Sequence, residues 1–408
     1  MNFLRIEFIA IGILFCSLAC NQPSKNSYEA GCKKGTYSYD AKFLRQYTKN
    51  VVELHDKENN AKILLSAEFQ GRVMTSTATG DAGSSFGWIK YDLISSGMKK
   101  TQFNPVGGEE RFWLGPEGGQ YSIYFKENDS FNIAHWQVPS IIDTIPYTVS
   151  LSNDSTAVFS AQAALVNYSG TRLNISIQRA ISLLNRNSLE QKLKLKIPAD
   201  VYCVGYETDN QIKNIGVQGW NKEKGLLSIW LLGMMTPTEQ TKVIIPFKPI
   251  PGARSLITTN YFGDVPSERL DIKDSVLYFT CDGQYRSKIG LSPLIAKSIA
   301  ASFDFKRNVL TLILFPVDSN AMYVNSKWEL QKEPYKGDVV NSYNDGPLAD
   351  GSQLGPFYEI ESSSSAKELA IGEIEEYRQV TCHLQGNYES LRQVAMKLLG
   401  VDLNDLKR

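Results

Sequence analysis

Histidine is nearly missing from this chain, with three among 408 residues, at positions 55, 135 and 383. No Cys-x-x-Cys pair and no Cys/His spacing suited to zinc occurs, so chelation by sulfur is excluded as the organising chemistry. Charge bias is missing too. Basic and acidic residues number 43 each and neither sign forms a long run, which removes the footprint of a nucleic-acid binder. There is no Gly-x-Ser-x-Gly elbow, P-loop, His-Glu-x-x-His or dinucleotide fingerprint, so nucleotide chemistry and zinc hydrolysis have no motif to rest on. Past the N-terminus no apolar run reaches the ~18 residues of a membrane span. The most apolar later stretch, Gly225 to Met235, reads as a buried strand pair.

What is present begins at the N-terminus. A weakly basic start is followed by an apolar run from Phe8 to Ala19, too short to span and typical of a secretory signal. Ala19 stands directly before Cys20, with Leu18 two residues before the cysteine, and a polar stretch follows. This resembles a bacterial lipobox and predicts a signal peptide over 1–19, lipidation at Cys20 and a polar tether over 20–38. The mature protein would then lie in the cell envelope, held on a membrane by its N-terminal lipid. Cys32, Cys203, Cys281 and Cys382 are far apart, and their spacing leaves one disulfide open without assigning it.

Residues 39–408 read as one large β domain. Alternating or β-branched runs recur, among them 62–69, 73–78, 121–125, 148–151, 156–165, 173–184, 189–197, 275–280, 309–315, 356–361 and 376–383, with turns such as Asn153-Asp154 and Asn185-Arg186-Asn187 between them. So many strands without alternating helices predict antiparallel sheets packed face to face. Roughly 340 residues suit a double-layered super-sandwich. Two helices are predicted, over Tyr39–Val51 and over Ser390–Leu399, the second carrying a 3.6-period apolar stripe with Gly400 as its stop.

The stretch from Gly107 to Gln120 is least like scaffold, with five glycines and a proline in fourteen residues. Such backbone bends and approaches something closely. Arg111, Trp113 and Glu117 add a planar donor fork, a flat apolar face and a carboxylate, the groups that hold a sugar ring; a packed surface loop is the competing reading. Glu359 and Glu361, two apart on a strand, share one face and require solvent, a cation or a ligand. Trp88 and Trp136 are further candidate platforms, Trp230 reads as core, and His55 as solvated. Asn341 to Gly346 is oxygen-rich. With Glu359 or Glu117 it suits a hard cation such as Ca²⁺, although a plain turn explains it as well. No other cofactor is expected.

Gly355–Ser363, Leu369–Glu373 and Thr381-Cys382-His383 are similar to the end of galactose mutarotase-like (aldose 1-epimerase) domains, and Glu68–Val73 resembles the hairpin that opens them. A closer resemblance is to a group of mutarotase-like bacterial lipoproteins without an assigned activity. It is carried by 107–120, Val204–Asn210, Ser228–Gly233, Gly337–Gly346, Phe357–Ser363 and Thr381–Gly386. The resemblance implies a mutarotase-like β super-sandwich with a carbohydrate ligand. It implies Glu361 as general base on an anomeric hydroxyl, His135 or His383 as general acid, and Arg111 on ring oxygens, with Trp113, Glu117, Glu359, Trp136 and Asp345 binding substrate. Four readings stay open: an aldose 1-epimerase-like isomerase, a non-catalytic glycan binder, a lyase or hydrolase using Glu117 or Asp345 as the further acid, and a scaffold whose cleft is vestigial.

Overall fold

The computed structural model describes residues 33–407. The expected signal peptide, Cys20, Cys32 and most of the tether lie outside these residues. Among the described residues no helix is long and apolar enough to cross a membrane.

The chain is mainly β. Its strands form three sheets of three, ten and six strands, and every pairing between them is antiparallel. Arg172–Leu184 shows the cause. Leu173, Ile175, Ile177, Arg179, Ile181 and Leu183 are buried while the residues between them are not, the period-two pattern of a sheet with one wet face. This strand belongs to the ten-stranded sheet, in which Ile374–Gly386 lies centrally between Val309–Leu314 and Val201–Asn214. The six-stranded sheet runs across its width in the order Ile257–Thr258, Ser287–Leu291, Val340–Asn344, Tyr358–Ser363, Ser228–Met235 and Arg111–Gly115.

These two sheets stack into a super-sandwich. Ser362 Oγ donates to Gln379 Oε1 (2.6 Å), and the Tyr358 and Ser302 hydroxyls lie 2.8 Å apart. Phe112, Leu114, Ile229, Leu231 and Ile360 join Ile175, Ile177 and Tyr206 in one apolar core. Within that core Glu110 Oε1 accepts from Arg179 Nη2 (2.7 Å), and Glu110 Oε2 accepts from Gln379 Nε2 (2.9 Å) and Thr381 Oγ1 (3.2 Å).

Several expectations are corrected. Gly225 to Met235 holds one strand, Ser228–Met235, buried throughout because the six-stranded sheet is covered on both faces. Residues 189–197, read as a strand after a turn, lie largely in a helix over Arg186–Leu193, whose first turn is capped by the Asn185 side chain accepting from Ser188 N. Residues 121–125 are irregular, and a short helix over Tyr91–Ser96 was not foreseen. The first expected helix spans Tyr37–Tyr47, and Val51 begins a strand. The last spans Tyr388–Leu399, capped by Asn387, with Leu391, Val394, Ala395 and Leu399 buried as its stripe requires. Cys203, Cys281 and Cys382 are buried free thiols.

Replacing Arg179 by Met strands the Glu110 carboxylate in the core. The expected loss is about 3–5 kcal/mol, read as a lower urea midpoint, and adding Glu110→Gln should recover part of it.

Candidate functional site

Strand alternation builds the site. Tyr358, Ile360 and Ser362 face the ten-stranded sheet, so Glu359 and Glu361 face the other way. Residues directly opposite on neighbouring strands share a face. Glu361 stands opposite Leu232, and Leu232 opposite Arg111. Glu359 stands opposite Tyr343, and Tyr343 opposite Lys288. Trp230 and Trp113 are paired one step along. Arg111, Trp113, Trp230, Lys288, Glu359 and Glu361 are therefore gathered on the outer face of the six-stranded sheet, beneath covering loops.

Glu361 is fully buried. Its Oε2 accepts from Trp230 Nε1 (2.9 Å) and from Lys288 Nζ (2.9 Å), while Oε1 has no partner. Glu359 Oε1 accepts from Arg111 Nη2 (2.5 Å). The Arg111 guanidinium lies 4.5 Å from the Trp113 ring centre, and its Nε and Nη1, like Trp113 Nε1, are buried without acceptors. Lys288 Nζ lies 5.0 Å from the Trp230 ring and 5.5 Å from that of Tyr261. Tyr261 donates to Asp338 Oδ2 (2.6 Å) and accepts from Asn341 Nδ2 (3.1 Å).

Glu117 stands half-buried at the rim, facing the indole N–H groups of Trp136 and Trp328; the Trp136 N–H does not complete a bond to it. Loss of solvent pushes the Glu117 carboxyl up to about 7, with Lys288 opposing and the Glu361 charge adding. Burial also raises Glu359, against the Arg111 charge. Burial alone would lower Lys288, but the charges of Glu361 and Glu117 outweigh it and hold the ammonium up. Burial thus favours the protonated form of Glu117 and of Glu359, while Arg111 and Lys288 oppose it.

The stretch from 107 to 120 is not a loop throughout, because Arg111–Gly115 is a strand. Glu109 and Glu110 before it enter the interior, and Glu117 after it reaches the rim. The close approach that its glycines announced is to the chain itself. Gly107, at φ 94°, lies against the Trp88 carbonyl, and Gly118 against that of Lys327. Glu117 N donates to Ser326 Oγ (3.2 Å), and Gln331 N to Gln120 Oε1 (3.0 Å). Gly118 and Gly119 cradle the 326–331 segment that carries Trp328.

The structure brings Glu361, Glu359, Arg111, Trp113, Glu117 and Trp136 to one place, and it brings no histidine there. His383 is buried on the ten-stranded sheet, with Nε2 2.6 Å from Glu109 Oε1 and Nδ1 2.8 Å from Thr311 Oγ1, its ring stacked on Phe86. It lies behind the six-stranded sheet from Glu361. His135 is exposed, its Nδ1 3.1 Å from the Ser130 carbonyl. The expected pairing of Glu361 with either histidine is corrected on that geometry. Asp345 braces its own segment, accepting from Tyr343 OH (2.8 Å) and Gly355 N (3.0 Å), and Asn341–Asn344 belong to a strand, not a turn. Among the described residues no group of three or more His, Cys, Asp or Glu side chains is arranged to hold a metal. Trp113 is buried edge-on against Trp230 (5.6 Å, 76°) and is no open platform, and Trp88 packs on Phe357. His55 is half-buried on a strand with a shielded Nε2, against the solvated reading.

Sequence reasoning missed Lys288, Tyr261 and Trp328, and it assigned Trp230 wholly to packing. Lys288 alternates with apolar Ile289 and so reads as an ordinary solvated strand lysine. Two cavities lie elsewhere, one between Tyr47 and Asp143 and one beside Phe247–Arg254. Glu117, Lys288, Tyr261 and Trp328, which surround Glu361, are half-buried.

A family model described as a family of unknown function (DUF6786) matches residues 35–408. No curated protein matches the chain. Among solved structures it is similar to a galactose mutarotase-like protein from Lactobacillus casei ATCC 334, with 9% identity over 82% of this chain and 100% of that one and a TM-score of 0.47. It is also similar to a galactose mutarotase related enzyme from Lactobacillus acidophilus, with 9% identity over 83% and 97% and a TM-score of 0.44.

Gly118→Ala places a methyl group against the Lys327 carbonyl. It should cost about 1–3 kcal/mol and lower the melting temperature.

Proposed function

Because the chain belongs to DUF6786, a family of unknown function, we propose its activity from the outer-face site: it takes a sugar and interconverts its anomers, as the sequence resemblance to aldose 1-epimerases implies. The observation that carries this reading is the state of Glu361. One of its oxygens is fixed by Lys288 and Trp230 and the other is free, the arrangement of an oriented base awaiting a proton.

Glu361 Oε1 takes the proton of the anomeric hydroxyl while the C1–O5 bond breaks. Glu117, in the place expected of a histidine, gives its proton to O5. Rotation about C1–C2 and the reverse transfers close the ring as the other anomer, and no atom is lost or gained. A carboxyl near 7 suits this donor, since an acid works best with a pKa near the working pH. Lys288 balances the charge between the two carboxyl groups. The Arg111 N–H groups left without acceptors suit sugar oxygens.

A second reading is glycan binding without turnover. It is favoured by the lack of a histidine beside Glu361 and by the ion pair that already occupies one of its oxygens.

Optical rotation of freshly dissolved aldoses separates the two. The epimerase reading expects acceleration that Glu361→Gln abolishes and Glu117→Gln reduces by about 10²–10⁴-fold. As the acid must be protonated, kcat should fall as pH rises through about 7, and Glu117→Gln should remove that limb. Sugar binding retained by wild type and both variants, without acceleration, would establish binding alone.

The cell-envelope location is proposed with the function, supported by the Ala19-Cys20 junction. Wild type should partition into the detergent phase of Triton X-114, and Cys20→Ser into the aqueous phase.

A further inference from the structure

The interior between the sheets holds hydrogen-bond donors that the site does not use. Arg72, Arg179 and Tyr147 are at most 3% exposed. Arg72 donates from Nη1 to Gly107 O (2.7 Å) and from Nη2 to Gln70 Oε1 (3.1 Å), and Arg179 donates from Nη2 to Glu110 Oε1 (2.7 Å). Arg72 Nε, Arg179 Nε and Nη1 and the Tyr147 hydroxyl have no partner among the described residues.

The three side chains are neighbours. Arg179 stands opposite Phe159, and the Phe159 ring closes on Gly71, next to Arg72. Tyr147 donates its backbone N–H to Ala67 O (2.9 Å) at the base of the same hairpin. Burial pushes Arg72 down to about 9, with Arg111 and Arg179 acting in the same direction and Asp143 against them. The Asp143 oxygens accept from Asn104 Nδ2 (2.7 Å) and Asn104 N (3.3 Å).

We propose that a small inorganic anion of halide size binds between the Arg72 and Arg179 guanidinium groups and the Tyr147 hydroxyl. The unpartnered groups are guanidinium N–H donors and a hydroxyl able to donate, so their shared requirement is an acceptor. Water accepts two hydrogen bonds at most and brings no charge to the two guanidinium groups. A halide accepts from every side and offsets the repulsion between the arginines, and buried polar groups left unmade cost about 1–3 kcal/mol each. Arg72 and Arg179 grip Gly107 and Glu110, the lead-in to Arg111, so the anion would steady the strand that delivers Arg111. This inference does not depend on the sugar chemistry proposed above.

Crystals grown in sodium bromide decide it. The expected result is an anomalous bromine peak within hydrogen-bonding distance of Arg72 Nε, Arg179 Nη1 and the Tyr147 hydroxyl. Water density there without a bromine signal would overturn the proposal. In solution, chloride should raise the melting temperature over gluconate at equal ionic strength by about 2 °C or more. Tyr147→Phe, which keeps the ring, should lose at least half of that shift. An equal chloride response in wild type and Tyr147→Phe would also overturn it.

Discussion

Glu359 and Glu361 leave the six-stranded sheet on its outer face because Tyr358, Ile360 and Ser362 are held against the ten-stranded sheet, and the make-up of the site follows from compensating two carboxylates removed from water. Isolated, each would cost several kcal/mol in such surroundings. Arg111 answers Glu359 and Lys288 answers Glu361. Both cations lie against aromatic rings that exclude solvent and favour positive charge. Glu117 then makes the carboxyl groups outnumber the cations. Burial first and the neighbouring Glu361 charge next therefore raise its carboxyl, with Lys288 opposing.

The stretch from Gly107 to Gln120 joins this outer site to the interior. Glu109 and Glu110 reach His383 and Arg179 behind the sheet, while Arg111, Trp113 and Glu117 face the site. A short segment is thus anchored through one sheet and displayed on another. The glycines on either side allow this by letting neighbouring backbone come within contact distance. Rigidity of that kind is what an oriented acid and base require.

Much of this was legible in the sequence where periodicity was strict. The alternation in Arg172–Leu184 and the stripe in Tyr388–Leu399 each have one physical reading, and the spacing of Glu359 and Glu361 forces them to one face. The strand over Leu189–Ile197 was misread because five of its first residues satisfy a capped helix as well as a strand, and the Asn185 cap decides between them. The histidines were assigned by family likeness, which does not report which layer a side chain occupies. Lys288 was missed because its role comes from Glu361, distant in sequence and two strands away in the sheet. Trp230 looked like core because it is buried; its indole N–H, which binds Glu361, leaves no mark on hydropathy.

The central position of Ile374–Gly386 in the ten-stranded sheet bears on how the molecule is made. Until that strand is in place, Val201–Asn214 and Val309–Leu314 present open edges toward each other, and the large sheet exists as two halves. A chain emerging N-terminus first therefore carries almost all of its sequence before its main layer can close. Through that interval unpaired strand edges are exposed to other chains. The apolar walls that later lie between the sheets are then a hazard of synthesis, relieved only when the last strand is threaded between its neighbours.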